Sequence, residues 1–196
     1  MPKLSLPDCS QLVVFFTGLS GSGKTTLSDL LVESFKSAGN SVTHIDGDVL
    51  RGMLSSDLGY SKADRELNLQ RAAYVSGEVV AHGGTVVCAM IAPYQQARQQ
   101  ARDYIQSKGG RFIEVYLNTP LSICEARDPK GMYAKARRGE IQDFTGIDSP
   151  FEAPQSPDIT INTAEQSEQA CLQQLLEAIN TIIKQNEIHS YTEQAK

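Results

Sequence analysis

Apolar positions along this chain alternate between two textures. Runs built on apolar residues occur at Leu12–Thr17, Val42–Asp46, Thr85–Met90, Phe112–Leu117 and Ile159–Asn162. They are short, rich in β-branched and aromatic residues, and leave no side for water, so each predicts a strand buried on both faces. Between them lie stretches of helical periodicity. Lys24–Ala38 carries Leu27, Leu30, Leu31 and Phe35 on one side and stops at Gly39-Asn40. Asp57–His82 predicts a polar turn and a long helix closed by Gly83-Gly84, and Tyr94–Ser107 a further helix closed by Gly109-Gly110. Ser167–Asn186 predicts a closing amphipathic helix.

Strands that alternate with helices and are apolar throughout predict an α/β fold with a five-stranded parallel sheet flanked by helices. The rhythm breaks between Asp128 and Pro157. Lys130–Glu140 is basic and helical in pattern, and Ile141–Pro157 is rich in Gly, Pro, Asp and Ser. That segment is too long and too polar for an ordinary connection, so residues 128–157 predict a mobile lid or binding loop. With no internal repeat or composition shift, residues 1–196 form one expected domain, with a loose polar tail over 186–196.

Composition narrows the function classes. Of 196 residues 40% are hydrophobic, enough for a core, and the net charge is −5. A globally acidic surface disfavours nucleic acid and anionic membranes as partners, and no apolar run is long enough to span a bilayer. Cys9, Cys88, Cys124 and Cys171 stand at no metal-ligand spacing, which predicts reduced, mostly buried thiols in a cytoplasmic protein.

The first strand runs into Gly18-Leu19-Ser20-Gly21-Ser22-Gly23-Lys24-Thr25, which fits G-x-x-x-x-G-K-[ST]. Glycines let backbone N–H groups approach phosphate oxygens, and the following helix offers its N-terminal dipole to the anion. Lys24 is expected to reach the β- and γ-phosphates of ATP, and Thr25 to place its hydroxyl on Mg²⁺. The loop specifies a nucleoside triphosphate and leaves the phosphoryl acceptor open.

The second strand ends in Asp46-Gly47-Asp48, where a parallel sheet faces its ligand crevice. Carboxylates there can bind Mg²⁺ through water, take a proton from an attacking hydroxyl, or simply cap a helix. Arg51 follows one helical turn later. Arg65 and Asn68 share one helix face, and Arg71 lies one step further, so three arginines gather near one strand end. Ala92-Pro93-Tyr94 follows the third strand, and Lys130, Lys135, Arg137 and Arg138 add positive charge to the lid.

Taken together, GLSGSGKTT (18–26), DGDVLR (46–51), DLGYSKADRELNLQR (57–71), IAPY (91–94), RDPKGMYAKARRGEI (127–141) and FTGIDSPFEAP (144–154) make the chain resemble the adenylylsulfate kinase (APS kinase) family of P-loop kinases. The resemblance runs from about Leu12 to Leu176, and its last two stretches are the specific ones. It implies transfer of the γ-phosphate of ATP to the 3′-hydroxyl of adenosine 5′-phosphosulfate (APS), with Mg²⁺ and commonly as a homodimer. By the same resemblance, ATP is held by residues 18–26 and Arg127, and Mg²⁺ by Thr25 and Asp46. APS is held by Asp48, Arg51, Tyr60, Arg65, Asn68, Ile91, Ala92, Lys130 and Phe144, with Tyr60 and Phe144 stacking on its adenine. Lys24, Asp48 and Lys130 are the expected catalytic residues. Three positions depart from the pattern: Tyr60 where Phe is usual, Val49 where Asn is frequent, and Ala92 where Ser is frequent. Two rivals share the phosphate loop: another small-molecule kinase does not account for residues 127–154, and intact Gly23, Lys24, Thr25 and Asp48 argue against a non-catalytic nucleotide-binding module.

Overall fold

The computed structural model describes the backbone of residues 9–194 and the side chains through Gln185. Five strands form one sheet: β1 (Leu12–Thr17), β2 (Val42–Asp46), β3 (Thr85–Ala89), β4 (Arg111–Leu117) and β5 (Ile159–Ile161). All pairings are parallel, in the order β2-β3-β1-β4-β5, with Val14 of β1 between Val87 and Ile113. The helices are α1 (Lys24–Ser37), α2 (Gly47–Met53), α3 (Lys62–Ala81), α4 (Gln95–Ser107), α5 (Leu121–Arg127), α6 (Met132–Arg137) and α7 (Glu168–Gln194).

Alternation along β1 divides the core in two, because successive strand side chains point to opposite faces. Leu12, Val14 and Phe16 pack with Leu31 and Phe35 of α1 and Leu175 and Ile179 of α7. Val13 and Phe15 pack with Leu69 and Ala72 of α3 and Ile105 of α4. The close contact of α3 with α4 needs Gly77, since a Cβ there would come within 2.6 Å of the Tyr104 ring.

The predicted lid has a small core of its own. Cys124, Tyr133, Ala136 and Phe144 are buried together, with Leu19, Leu121 and Met132 packed against them. The stretch expected to be one long loop is therefore anchored at several points. Asp148 accepts from the Asp143 and Phe144 amides at 2.9 and 2.6 Å and closes a tight turn.

Two elements differ from the sequence expectation. Helix α5 is too short to show a period, since Cys124 is its one fully buried side chain. Helix α7 continues to Gln194, through positions expected to be a loose tail. No Gly or Pro stands between Gln185 and Gln194 to end it. The rest of that expected tail, residues 195–196, lies outside the described residues. Among the described residues no helix is long and apolar enough to cross a membrane. Cys88, Cys124 and Cys171 are buried free thiols, and Cys9 is fully buried.

Candidate active site

The carboxyl ends of β1, β2 and β3 open on one cavity of about 1030 Å³ that reaches from Gly21, Lys24 and Thr25 to Arg51, Arg65 and Phe144. Its first end is the turn between β1 and α1. Gly21 has φ +73°, and a Cβ on it would meet the Cys124 carbonyl oxygen at 2.9 Å, so a side chain is excluded twice over. Lys24 Nζ donates to the Gly18 and Leu19 carbonyls at 2.9 and 2.7 Å. Withdrawal of this ammonium from water lowers its pKa to about 8. Gly18, Leu19 and Ser22 build the turn without lining the cavity, whereas Ser20, Gly21, Gly23, Lys24, Thr25 and Thr26 face it.

Asp46 meets one of the expectations for its strand end, the helix cap, and uses its other oxygen on the phosphate loop. Its Oδ1 accepts from the Asp48 and Val49 amides at 2.9 and 3.3 Å and caps α2. Its Oδ2 accepts from the Thr25 hydroxyl at 3.0 Å. Among the described residues no three His, Cys, Asp or Glu side chains cluster as a metal cage. The donor set of one hydroxyl and one carboxylate suits a hard cation that keeps its remaining ligands as phosphate and water, as Mg²⁺ does. His44, on β2, lies between Ser28 at 3.1 Å and Asp29 at 3.5 Å, also on the cavity wall.

Asp48 forms an ion pair with Lys130 of the lid, which raises the lysine's pKa. Beyond them lie two guanidiniums. Arg51 donates to the Gly59 carbonyl at 2.6 Å, and Arg65 to the Tyr60 and Asp143 carbonyls at 2.7 and 2.6 Å. Neither is among the ion pairs of the described residues, so their charge is held by backbone carbonyls and the face of an aromatic ring rather than by a carboxylate. Burial lowers the Arg65 pKa, and the neighbouring Arg51 charge lowers it further. Asn68, 4% exposed, faces the same cavity with a side-chain oxygen that has no partner. Ile91 and Ala92 form the opposite wall, and Ala92 takes φ +44°.

Arg127, at the end of α5, donates to the Thr163 hydroxyl and carbonyl at 2.9 and 2.8 Å and so closes the phosphate-loop end. Phe144 lines the acceptor end and meets Tyr133 edge-on, with centroids 4.9 Å apart at 77°.

Several expectations need correction. Arg71 is absent from the cavity wall: it forms a bidentate pair with Asp57 at 2.6 and 2.8 Å and holds the Leu54 carbonyl. Of the basic lid residues only Lys130 lines the cavity, because Arg137 pairs with Glu125 and Arg138 with Glu140, while Lys135 lies away from it. Tyr60 lines the wall, but its ring is faced by Arg51 at 4.5 Å and Arg65 at 5.5 Å, so it works first as a platform for two cations. Val49 presents no free amide, since that group caps against Asp46.

Thr163 and Gln166 also line the cavity and were not singled out from sequence. The signal was present: they follow β5, whose carboxyl end faces the crevice like the others. Pro129, Met132 and Thr145 are further lid contributions, and they fall within the two stretches that carry the family resemblance.

With this geometry in place, comparison with known proteins is specific. Residues 10–162 match the family model of adenylylsulphate kinase. The chain is 45% identical over 170 residues to the adenylyl-sulfate kinase of Synechococcus sp. (strain JA-2-3B'a(2-13)), covering 87% of this chain and 95% of that one. It is 48% identical over 177 residues to the adenylyl-sulfate kinase of Escherichia coli (strain K12 / DH10B), covering 90% of this chain and 85% of that one. Among solved structures, the Mycobacterium tuberculosis APS kinase in complex with AMPPNP and APS superposes with a TM-score of 0.82 at 42% identity, over 85% of this chain and 96% of that one.

Proposed function

The chain belongs to the adenylylsulphate kinase family, and from that membership we propose how its cavity divides the reaction between two substrates. The activity is ATP-dependent phosphorylation of the 3′-hydroxyl of APS, giving 3′-phosphoadenylyl sulfate and ADP. ATP lies on the loop of residues 18–26, its γ-phosphate toward Asp48, with Arg127 against its base. APS lies across Arg51, Tyr60, Arg65, Asn68, Ile91, Ala92, Lys130 and Phe144. The carrying observation is the pair Arg51 and Arg65, two guanidiniums at one cavity end with no carboxylate partner. A ligand bearing both phosphate and sulfate supplies the missing negative charge in a planar geometry that guanidinium matches.

In the transfer, the 3′-oxygen forms a bond to the γ-phosphorus as the bond to the β,γ-bridging oxygen breaks, and ADP leaves with the released charge. Asp48 orients the attacking hydroxyl and takes its proton, as a carboxylate on the cavity wall paired with Lys130 of the lid. Lys24 gives up its carbonyl partners to the β- and γ-phosphates, and Lys130 neutralises charge on the transferring group. The Thr25 hydroxyl and Asp46 would hold Mg²⁺, which would supply Lewis-acid neutralisation of the phosphate oxygens.

The protein is further a homodimer in the cytoplasm, as one domain with residues 128–157 as its lid. Exposed Val49 and Met53 on α2 and Tyr74 on α3 support a self-association surface, and the buried thiols support a reducing compartment. A coupled ADP-release assay across a panel of acceptors tests the reading. Turnover with APS alone is the expected result. Equal turnover with a sugar acid or a nucleoside would refute it.

A further inference from the structure

We propose that Glu152 is a positioning residue for acceptor binding, because it joins the lid's return to the β3–α4 turn that carries Ala92. The proposal rests on the assignment of that turn and Phe144 to the APS end of the cavity.

Ala92 holds φ +44°, a left-handed conformation that a residue with a Cβ keeps only when its surroundings over-determine it. Those surroundings are a knot of five hydrogen bonds. Arg98 Nη1 donates to the Ala92 carbonyl at 2.8 Å, and Arg98 is itself fixed by Glu114 at 2.9 Å. Glu152 enters from the lid. Its amide donates to the Pro93 carbonyl at 2.8 Å, and its carbonyl accepts from Arg98 Nη2 at 2.8 Å. Its carboxylate accepts from the Gln95 amide at 2.7 Å. Gln95 is the first residue of α4, and the residue before it, Tyr94, supplies no side-chain cap. A carboxylate from a distant segment therefore caps this helix, where its charge also meets the positive dipole end.

The same segment carries the other wall. Phe144 sits before Glu152 on the lid, and Arg65 holds the preceding Asp143 carbonyl. Glu152 thus fixes the spacing between the Ala92 wall and the Phe144 wall of one subsite. None of its bonds reaches the loop that binds ATP. Its side chain is exposed, and its main-chain bonds survive truncation, so the fold tolerates the change.

Initial rates with both substrates varied, for Glu152→Ala, Glu152→Gln and Arg65→Ala, test this. Glu152→Ala should raise the KM for APS by about tenfold, the size of one lost charge-assisted hydrogen bond, and leave the KM for ATP within about twofold. Glu152→Gln retains an oxygen for the Gln95 amide and should recover most of that loss. A KM for APS unchanged in Glu152→Ala overturns the proposal, as does an equal rise in both KM values or a Gln variant no better than Ala. Arg65→Ala separates the two levels: if it too leaves the KM for APS unchanged, the acceptor site itself is misassigned. If it alone raises it, only the role of Glu152 falls.

Discussion

The Tyr133 hydroxyl, on lid helix α6, donates to the Ser20 carbonyl of the phosphate loop at 2.9 Å, across 113 positions of sequence. Its ring is fully buried and meets Phe144 edge-on. Burial pushes the phenol pKa up, so it remains a donor at any pH the enzyme meets. One residue thereby touches both the turn between β1 and α1 and the Phe144 ring at the other end of the cavity.

Tyr133→Phe removes this bond and keeps the packing. The Ser20 carbonyl then loses a partner inside a desolvated site, a loss of about 1 kcal/mol. The expected result is a rise of about fivefold in the KM for ATP, with the melting temperature lowered by about 2–4 °C. Steady-state kinetics beside a melting curve check it. Unaltered ATP kinetics would show that the contact does not shape the loop.

Lys24 makes nucleotide binding depend on pH above neutrality. Its pKa is lowered to about 8 by burial, so the free enzyme loses this charge as pH rises through that value. Phosphates favour the charged form, so binding returns the pKa toward its ordinary value and takes up a proton. Affinity for an ATP analogue should therefore fall above pH 8 with a limiting slope of about tenfold per unit. Calorimetry at pH 8.5 in two buffers of different ionisation enthalpy should detect the proton uptake. An affinity flat from pH 7 to 9.5 would contradict this account. Lys24→Ala should abolish turnover outright.

Glu114 and Arg98 form a buried ion pair behind the acceptor wall, with side chains 11% and 3% exposed. Glu114→Ala strands the guanidinium charge, a change that ordinarily costs about 3–5 kcal/mol. Arg98 keeps two carbonyl partners, Ala92 and Glu152, which puts the expected loss at the low end, about 3 kcal/mol. Urea unfolding measures it, and a loss below about 1 kcal/mol would mean that water reaches the pair.

The legible parts of this molecule were those written in local pattern. The strands showed in sequence because a two-faced buried strand such as β1 is apolar from Leu12 to Phe16, and the phosphate loop because Gly18, Gly21 and Gly23 answer a local steric need. Arg65 and Asn68 were found because a helix puts neighbours three apart on one face. What local pattern could not tell was the partner of each charge. Arg71, Arg137 and Arg138 look in sequence like Arg65, and they differ in having Asp57, Glu125 and Glu140 within reach; Lys130 too has a carboxylate partner, but that partner, Asp48, lies on the cavity wall. Thr163 and Glu152 were missed for the same reason, because their partners, Arg127 and the Gln95 amide, lie far away along the chain.

Asp48 and Lys130 meet across the acceptor end from α2 and the lid, with side chains 74% and 61% exposed. An ion pair so open to water adds less than about 1 kcal/mol to stability and is screened by salt. Its significance is then kinetic: the pair joins the group proposed to receive the hydroxyl proton to the group proposed to neutralise the phosphoryl. If they act as one unit, Asp48→Asn and Lys130→Ala should each lower kcat by about a hundredfold or more. The double variant should be little worse than the more damaged single variant, because each change already disables the unit. Melting temperatures should stay level across the set. Losses that multiply in the double variant would mean two independent contributions, and undiminished kcat in Asp48→Asn would remove this carboxylate from the proton's path.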